Sequence, residues 1–538
     1  MRKLLLALLA LAPAQAFALS GQVSSAKEGP MEGVLVSAHP DGGNITVTVV
    51  SDAKGHYAFP AGRLPAGKVA LSIRAVGYDL AGPATADASG TADLSLKPTA
   101  DLAAQLTNAE WMESLPGELG QKKFLQNCAG CHSLQKPLFS EHNAAEFSAV
   151  QQRMTGYAAA SSVLTPQLLV ADRVANQGEF ALEQRRQMID KQAAYLAGVN
   201  FGEAKTWRFP LKTFHRPTGR ATHVVITEYD LKEPTRMPHD VIVTPDGMVW
   251  YSSFAEQILG RLDPATGKTT EWTIPTLKPN SPKGSLALRA DPNGNLWLGM
   301  AYQAGVARFD PKTEKFRMYP LPPELNKDFT QTTEVEPTHL NVDGKVWIED
   351  SGTYSIYRMD IETGKMEVFQ PFPIPSPNIY DLATDPQNNV YFTVFGRGDI
   401  GRIDAKTKAI RTWPTPTKES SPRRGALDEA GRFWFGEFRA NRIGMFDTKT
   451  EAFKEWTPPT PWYFPYDVVG DRNGNAWAGS MNADRVERLD PKTGEFVEYL
   501  LPRSTNMRRS FVDDRKTPVT FWVGSNHGAS IVKVEPTD

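Results

Sequence analysis

Residues 466–500 read YDVVGDRNGNAWAGSMNADRVERLDPKTGEFVEYL, and this pattern decides the fold of most of the chain. Apolar and polar residues alternate in short runs, which predicts β-strands. Turn-forming residues such as Asp471, Gly474 and Gly494 separate the runs. The stretch therefore predicts four consecutive strands, with Trp477 in the second one.

The same unit recurs along the last three-fifths of the chain, and each copy carries an aromatic residue at one fixed place. Neighbouring aromatic markers are 43 to 50 residues apart. Four strands per unit at this period are typical of β-propeller blades. We therefore predict a seven-bladed propeller over residues 224–538, with these markers: Trp250, Trp297, Trp347, Tyr391, Trp434, Trp477 and Trp522.

The seventh unit stops after its third strand, ASIVKVEP, and lacks an outermost strand. The stretch VVITEYD at residues 224–230 is similar to the strands that end the other units. We expect it to pair with the last blade, because ring closure removes the exposed edges of an open stack.

The repeats resemble the streptogramin (virginiamycin B) lyase propellers, in which Pro-His precedes an inner strand and Asp-Gly-x-x-Trp and Ile-Gly-Arg follow. In those lyases two histidines and two glutamates form a magnesium-assisted elimination site. The resemblance retains part of that set: His239 in unit one, His339 and Glu349 in unit three, and Glu437 in unit five, where Arg424 replaces a histidine.

Residues that enter the inner strands or leave the aromatic strands are expected to meet at one end of the central channel, the propeller mouth. Histidines, arginines and carboxylates are frequent at these places, and we predict a site for a small polar or anionic substrate or for a metal. His239, His339 and His527 together could hold copper or zinc, since imidazole suits both metals, and the lyase resemblance adds magnesium. The candidate catalytic residues are His239, His339, Glu349, Arg424, Glu437 and His527.

Residues 126–133 read QNCAGCHS and contain both cysteines of the chain. Three interpretations of this cysteine pair are possible, and the first two are a C-x-x-C disulfide and a thioredoxin-type redox pair. The third is one covalent haem c, with thioethers to Cys128 and Cys131 and with His132 as an iron ligand. Predicted helices before and after the motif favour the third reading, and residues 101–202 resemble a class I c-type cytochrome domain.

The sixth iron ligand is less constrained by the sequence. Methionine is the usual ligand in electron-transfer cytochromes, and Met154 is the candidate. Met154 is also spaced as a helix core residue with Phe147 and Val150, while His142 and Met188 are rivals. A site without a sixth protein ligand stays open as well.

The stretch before the cysteines alternates apolar and polar residues and is punctuated by turns, which predicts a small antiparallel β-sandwich over residues 19–100. Gly33, the Tyr57–Phe59 run and the 74–78 run resemble the carboxypeptidase regulatory-like module. That module is an accessory without catalytic groups. Residues 203–223 are predicted to be a linker, and the fold class is mainly β and multidomain.

Residues 1–18 have the pattern of a secretory signal peptide: Arg2 and Lys3, an apolar run, and Ala16-Phe17-Ala18. We therefore expect a periplasmic or secreted protein without a membrane anchor. The chain carries 59 basic and 61 acidic side chains, which does not favour nucleic acid as a partner.

Haem and propeller together predict an exported electron-transfer protein. In the preferred interpretation it is an oxidoreductase, and a site at the propeller mouth passes electrons to the haem and onward to a redox partner protein. The alternatives are a lyase of the streptogramin B type and a non-enzymatic docking propeller on an electron-shuttling cytochrome. Quinohaem dehydrogenases also join haem to a propeller, but theirs has eight blades and carries a quinone.

Overall fold

The computed structural model describes residues 17–169, 179–202, 204, 206–373 and 376–538. The predicted signal peptide lies outside the described residues except for Phe17 and Ala18, which begin the first strand. No helix within these ranges combines the length and the apolar character needed to cross a bilayer.

The N-terminal part is a sandwich of two small sheets. One contains β2, β1, β9 and β7 in that order, with β5 also on β1, and the other ends in β4, β3, β6 and β8. Its core includes Val23, Val36 and Phe59, all fully buried. The predicted all-antiparallel order is wrong at one place, because β1 and β9 run parallel. The strands are β1 (Phe17–Ser25), β2 (Gly29–Pro30), β3 (Leu35–Pro40), β4 (Ile45–Val50), β5 (His56–Pro60), β6 (Lys68–Arg74), β7 (Tyr78–Leu80), β8 (Ala84–Asp87) and β9 (Leu94–Pro98).

Residues 101–202, here called the helical segment, follow the sandwich. The helices described there are α1 (Asn108–Ser114), α2 (Leu119–Lys122), α3 (Leu125–Ala129), α4 (Gln135–Leu138), α5 (Ala144–Met154) and α6 (Glu179–Val199), with a 3-10 turn at Ala103–Gln105. Most of these helices are short, and α5 and α6 pack against each other. The helix predicted after the motif is present as α6. The sequence pattern places Met188 on one face with Ala193 and Leu196, but Ala193 and Leu196 are buried whereas Met188 is 52% exposed.

The segment after α6 runs along the molecule to a 3-10 turn at Gly219–Thr222. Trp207 packs against Trp111 with ring centroids 4.9 Å apart, and the Glu110 carboxylate accepts a hydrogen bond from the Phe214 backbone N–H at 2.8 Å. The predicted linker is therefore packed onto the helical segment.

The propeller has seven blades of four antiparallel strands. The second strand of each blade carries the aromatic marker, and Trp347 and Trp434 are fully buried there. Blade one contains β11 (Pro238–Val243), β12 (Val249–Ser253), β13 (Ile258–Leu262) and β14 (Thr269–Thr273). Blade two contains β15 (Leu288–Ala290), β16 (Leu296–Gly299), β17 (Gly305–Asp310) and β18 (Lys315–Pro320). Blade three contains β19 (Thr332–Glu336), β20 (Lys345–Asp350), β21 (Ser355–Asp360) and β22 (Met366–Phe369), with a 3-10 turn at Leu340–Val342.

The remaining blades follow the same order. Blade four contains β23 (Ile379–Thr384), β24 (Val390–Val394), β25 (Asp399–Ile403) and β26 (Ile410–Pro414). Blade five contains β27 (Pro422–Leu427), β28 (Arg432–Glu437), β29 (Arg442–Asp447) and β30 (Phe453–Trp456). Blade six contains β31 (Pro465–Gly470), β32 (Ala476–Ser480), β33 (Arg485–Asp490) and β34 (Glu495–Leu500). Blade seven contains β35 (Met507–Asp513), β36 (Thr520–Ser525), β37 (Ser530–Pro536) and β10 (Val224–Asp230).

The predicted closure of the ring is confirmed. Strand β10 pairs antiparallel with β37 from Val224 opposite Pro536 to Asp230 opposite Ser530. Its other edge pairs antiparallel with β4 of the sandwich. The sheet of blade seven thus continues into the N-terminal domain, and β10 has partners on both edges.

Candidate functional site

The innermost strands begin at one end of the channel, and this end is the propeller mouth. Six of them have a register irregularity next to their second and third residues. A bulge of this kind turns consecutive side chains toward the same space. As a result, two layers of side chains from different blades meet in the channel.

The third residues of these six strands form a buried charged layer: Asp240, Glu334, Asp381, Arg424, Asp467 and Arg509. Arg424 of blade five pairs with Asp240 of blade one at 3.5 Å and contacts Glu334 of blade three. Arg509 of blade seven approaches Asp240 at 3.3 Å and contacts Asp381 of blade four. The layer therefore connects blades across the channel by ion pairs.

The second residues form a layer nearer the mouth, with hydrogen bonds running through it. His239 Nδ1 lies 2.7 Å from the Asp240 carboxylate, and its Nε2 lies 3.3 Å from the Tyr466 hydroxyl. The Tyr466 and Tyr380 hydroxyls are 3.0 Å apart. Burial lowers the pKa of His239 to about 3, although Asp240 opposes the shift. His239 is therefore neutral at physiological pH.

The same layer contains Arg423, Thr333 and Arg508. The Arg423 guanidinium lies over the Phe438 and Tyr466 rings, 4.3 Å from each centroid. It also donates a hydrogen bond to the Tyr380 hydroxyl at 3.1 Å. Burial alone would raise the pKa of Tyr380, but Arg423 and Arg424 outweigh it and lower that pKa. The mouth is thus an aromatic and strongly cationic surface.

The helical segment covers this mouth, and its C-x-x-C-H motif forms the direct contact. The Gly130 carbonyl accepts a hydrogen bond from Arg508 Nη2 at 2.6 Å, and the Ala129 carbonyl accepts one from Asn506 at 2.9 Å. His527 Nε2 lies 3.3 Å from the Gly130 carbonyl. The motif and the propeller mouth therefore form one continuous site.

The helical segment also contacts blades one and two of the propeller. The Gln167 side chain donates a hydrogen bond to the Ala255 carbonyl and accepts one from the Lys283 N–H at 2.6 Å. Ala158 and Ala160 pack with Phe254 and other apolar residues of blades one and two.

Cys128, Cys131 and His132 line a cavity of about 1360 Å³ among the helices, on the side that faces the propeller residue Arg439. Met154 and Met188 line the same cavity, and each has about half of its side chain exposed (40% and 52%). Arg439 of blade five also contributes to the wall.

The cysteines are not joined to each other, and α3 ends between them at Ala129. Burial raises the pKa of the Cys128 thiol to about 12, and it raises that of Cys131. His132 Nδ1 lies 2.9 Å from the Ser133 carbonyl. A carbonyl only accepts, so Nδ1 carries the proton and Nε2 keeps its lone pair.

A smaller cavity of about 630 Å³ lies where the sandwich, the helical segment and the propeller meet. Cys131, His132 and His527 line it together with basic residues of all three parts. His527, from the loop after β36, therefore lies next to the motif, as a mouth residue should.

The other residues predicted at the mouth are more widely separated. His239 and Arg424 come together through Asp240. Glu349 is buried at the end of β20 beside Thr333, and burial raises its pKa well above the usual value. Glu437 does not face Arg424: its neighbours are Glu455 and Arg442 within blade five, and burial together with Glu455 raises its pKa to about 9.

The predicted place of His339 is wrong. Blade three begins its innermost strand at Thr332, and His339 follows the end of that strand. Its Nδ1 lies 2.9 Å from the Thr384 hydroxyl, at the end of β23. His339 is therefore at the opposite end of the channel from His239.

This separation changes the expectation of a metal held by three histidines. In the ranges that the structure describes, no group of three or more His, Cys, Asp or Glu side chains is placed to hold a metal ion. His239 and His527 share the mouth, whereas His339 does not.

The sequence reasoning missed Arg423, Arg508, Glu334 and Asp381. A charged residue at the third place of an inner strand recurs in blades one, four and six as Asp240, Asp381 and Asp467. That recurrence was a usable signal in the repeats.

Two protein-family models match the chain. The virginiamycin B lyase family model matches residues 373–538, and the carboxypeptidase regulatory-like domain model matches residues 18–99. Neither match includes residues 100–372, so the cytochrome c assignment of the helical segment gains no support from them. No curated protein matches the chain.

Solved structures of lyases share the propeller fold. A catalytically inactive virginiamycin B lyase from Staphylococcus aureus with quinupristin is 21% identical, has a TM-score of 0.50, and covers 58% of this chain and 98% of its own. A streptogramin B lyase structure is 21% identical, has a TM-score of 0.50, and covers 59% of this chain and 100% of its own. At this identity the likeness establishes a lyase-like β-propeller and does not extend to activity.

Proposed function

We propose that the protein is an exported electron-transfer protein with one covalent haem c between the helical segment and the propeller mouth. The observation that carries the proposal is the shared cavity of about 1360 Å³, which Cys128, Cys131, His132 and two methionines line together. The volume exceeds that of an ordinary ligand pocket, about 300–1,000 Å³. The residues present therefore fit a large flat group attached at the two cysteines.

The local geometry favours thioethers over the two thiol readings. A thioredoxin-type pair follows a strand and opens a helix, whereas here helix α3 ends within the motif. Reactive cysteines also have a lowered thiol pKa, and that of Cys128 is raised to about 12. A disulfide across two intervening residues closes a small ring and restricts little of the unfolded chain.

His132 is the proposed proximal ligand of the iron. The Ser133 carbonyl, 2.9 Å from Nδ1, fixes the ring so that the Nε2 lone pair is free to bind. A histidine that binds a metal through one ring nitrogen is usually oriented by a hydrogen bond from its other ring nitrogen.

Met154 and Met188 are the candidates for the opposite position. Both methionines line the same cavity as the two cysteines and His132. Phe124 and Tyr195, with ring centroids 5.9 Å apart, form an aromatic part of the wall beside the cysteines.

The group would supply reversible one-electron transfer at the iron. The chain's own contribution would be to hold the group through Cys128, Cys131 and His132, while Gly130 of the same motif contacts Arg508 and His527 of the mouth. A polar or anionic donor bound at the mouth would then be adjacent to the redox centre, with a separate redox protein as the onward partner.

The test is expression in a host that matures c-type cytochromes, followed by a peroxidase stain on a denaturing gel. A covalent haem survives denaturation, so the parent should stain and a Cys128→Ala/Cys131→Ala double variant should not. A parent that stays unstained under conditions in which a known c-type cytochrome stains would reject the proposal.

A lyase of the streptogramin B type is the second candidate, favoured by the virginiamycin B lyase family match over residues 373–538. It is tested by incubating the protein and magnesium with quinupristin, the compound present in the similar solved structure. Loss of the intact compound, and loss of that activity in His239→Ala, would support it. Unchanged quinupristin would leave the propeller as a binding module.

A further inference from the structure

Arg423, Arg439 and Arg508 lie at the propeller mouth and form no ion pair with any carboxylate in the described part of the chain. Arg439 has one acidic neighbour beyond ion-pair distance, Glu419. Arg424 and Arg509, one layer deeper, are paired.

The three side chains form one continuous group. Arg439 and Arg423 lie over the same ring, Phe395, at 5.0 and 5.4 Å from its centroid. Arg423 and Arg508 both lie over Tyr466, at 4.3 and 5.3 Å. Both also donate to the Met481 sulfur, at 3.1 and 3.8 Å.

The three side chains differ in burial: Arg508 is buried, Arg423 is half-buried and Arg439 is exposed. Burying a charge without an ionic partner is costly, and a cation over an aromatic face recovers only part of that cost, so the need for an anionic partner is greatest at Arg508. Arg508 is only 4% exposed, and its hydrogen-bond partners are the Gly130 carbonyl and the weakly accepting Met481 sulfur.

The Nε atoms of Arg423 and Arg508 are buried and have no hydrogen-bond partner among the described residues. Arg424 and Arg509 in the deeper layer also leave Nε unbonded. The mouth therefore has spare hydrogen-bond donors, and the missing ion pairs are what distinguish its arginines from the deeper layer. Arg439, at the edge of the group, opens into the cavity that the two cysteines line.

We propose that Arg423, Arg439 and Arg508 form an anion-binding site that takes a carboxylate or a similar oxyanion beside the C-x-x-C-H motif. Guanidinium groups match carboxylates in geometry and charge, and the aromatic walls exclude water. Two sources share this chemistry: a propionate of the haem, which rests on the proposed function, and a free anionic substrate, which does not.

The experiment measures anion binding and haem potential in the full-length protein. Sulfate and benzoate are titrated by calorimetry into the haem-free Cys128→Ala/Cys131→Ala protein and into the haem-loaded parent. Arg439→Gln is then placed on both backgrounds. Arg411→Gln is the control, because Arg411 is exposed on an outer strand and is paired with Glu451 at 2.7 Å.

The expected result is that the haem-free protein binds at least one of the two anions and that Arg439→Gln weakens the affinity about tenfold or more, whereas Arg411→Gln does not. If a haem propionate occupies the site, the haem-loaded parent should not bind the free anions. In that case Arg439→Gln should also make the reduction potential of the haem-loaded protein more negative. A free substrate anion would bind the loaded parent as well, without that shift.

Two results would overturn the site: no anion binding in either form together with an unchanged potential in Arg439→Gln, or equal affinities in the Arg439 and Arg411 variants. Arg423→Gln tests the centre of the group separately, in case the more buried Arg508→Gln fails to fold. Absence of haem from the parent would reject the proposed function, while the titration of the haem-free protein would still decide the arginine site.

Discussion

Ile226 pairs with Val534 across the seam of the propeller, and on its other side the same residue pairs with Thr48 of the sandwich. Strand β10 is therefore an interior strand of a sheet that spans two domains. Ring closure and attachment of the sandwich depend on one strand, which links the N-terminal domain to the stability of the propeller.

Shortening a buried side chain in this strand should lower the stability of the protein. Ile226 is fully buried, and Ile226→Ala should lower the free energy of unfolding by about 2–5 kcal/mol, because it removes core contacts and leaves a cavity. Chemical denaturation measures the change. Ile410→Ala on the exposed outer strand of blade four is the control and should cost much less; equal losses would contradict the seam's importance.

The buried arginine between blades should be a strong determinant of stability. Arg424→Met removes the partner of Asp240 and Glu334 and leaves both acids buried, which should cost about 3–5 kcal/mol. Arg411→Gln disrupts an exposed pair and should cost at most about 1 kcal/mol. Thermal and denaturant unfolding measure the loss of unfolding free energy in the two variants. Similar losses would show that the buried charged layer does not stabilise the propeller more than a surface ion pair does.

His239 should make stability depend on pH in a defined direction. Its folded-state pKa of about 3 lies below the unfolded value of about 6.5. The unfolded state therefore binds more protons between these values, and stability falls as pH drops below about 6.5, by on the order of 1 kcal/mol per pH unit. His239→Gln should flatten this dependence between pH 7 and 4.

Denaturant unfolding at several pH values provides the measurement. His56→Gln, at an exposed position of the sandwich, serves as the matched control and should leave the parent's pH dependence in place. A His239→Gln curve parallel to that of the parent would show that the histidine is not held neutral by its surroundings.

The two cavity methionines should differ in the spectrum of the ferric haem. If Met154 is the sixth ligand, Met154→Ala should remove the weak long-wavelength band of iron–thioether coordination and make the reduction potential more negative, because a thioether raises it. Met188→Ala should leave both unchanged. The reverse result would assign Met188, and a parent without the band would exclude either methionine.

The repeat pattern was sufficient for the propeller because aromatic residues recur at one place in every blade. It failed locally in blade three, where the inner strand TTEVE at residues 332–336 is polar and carries little periodic signal. The more apolar stretch that begins at His339 matches the repeat better, and the pattern therefore predicts the wrong end of the channel for this histidine.

The docking of the helical segment on the mouth could not be read from the sequence. Ala129 and Asn506 are 377 residues apart and share a hydrogen bond that no local pattern encodes. The three unpaired arginines could not be predicted from the sequence either, because the sequence does not show which charged side chains form ion pairs between blades. The C-x-x-C-H spacing, in contrast, is a local signal and was sufficient to propose a haem.

The most direct test of the central claim is the mass of the denatured, matured protein and of its peptide that contains residues 126–133. The account predicts a gain equal to one haem, located on that peptide and lost in Cys128→Ala/Cys131→Ala. An unmodified peptide with two free thiols, from a host that matures other c-type cytochromes, would contradict the account.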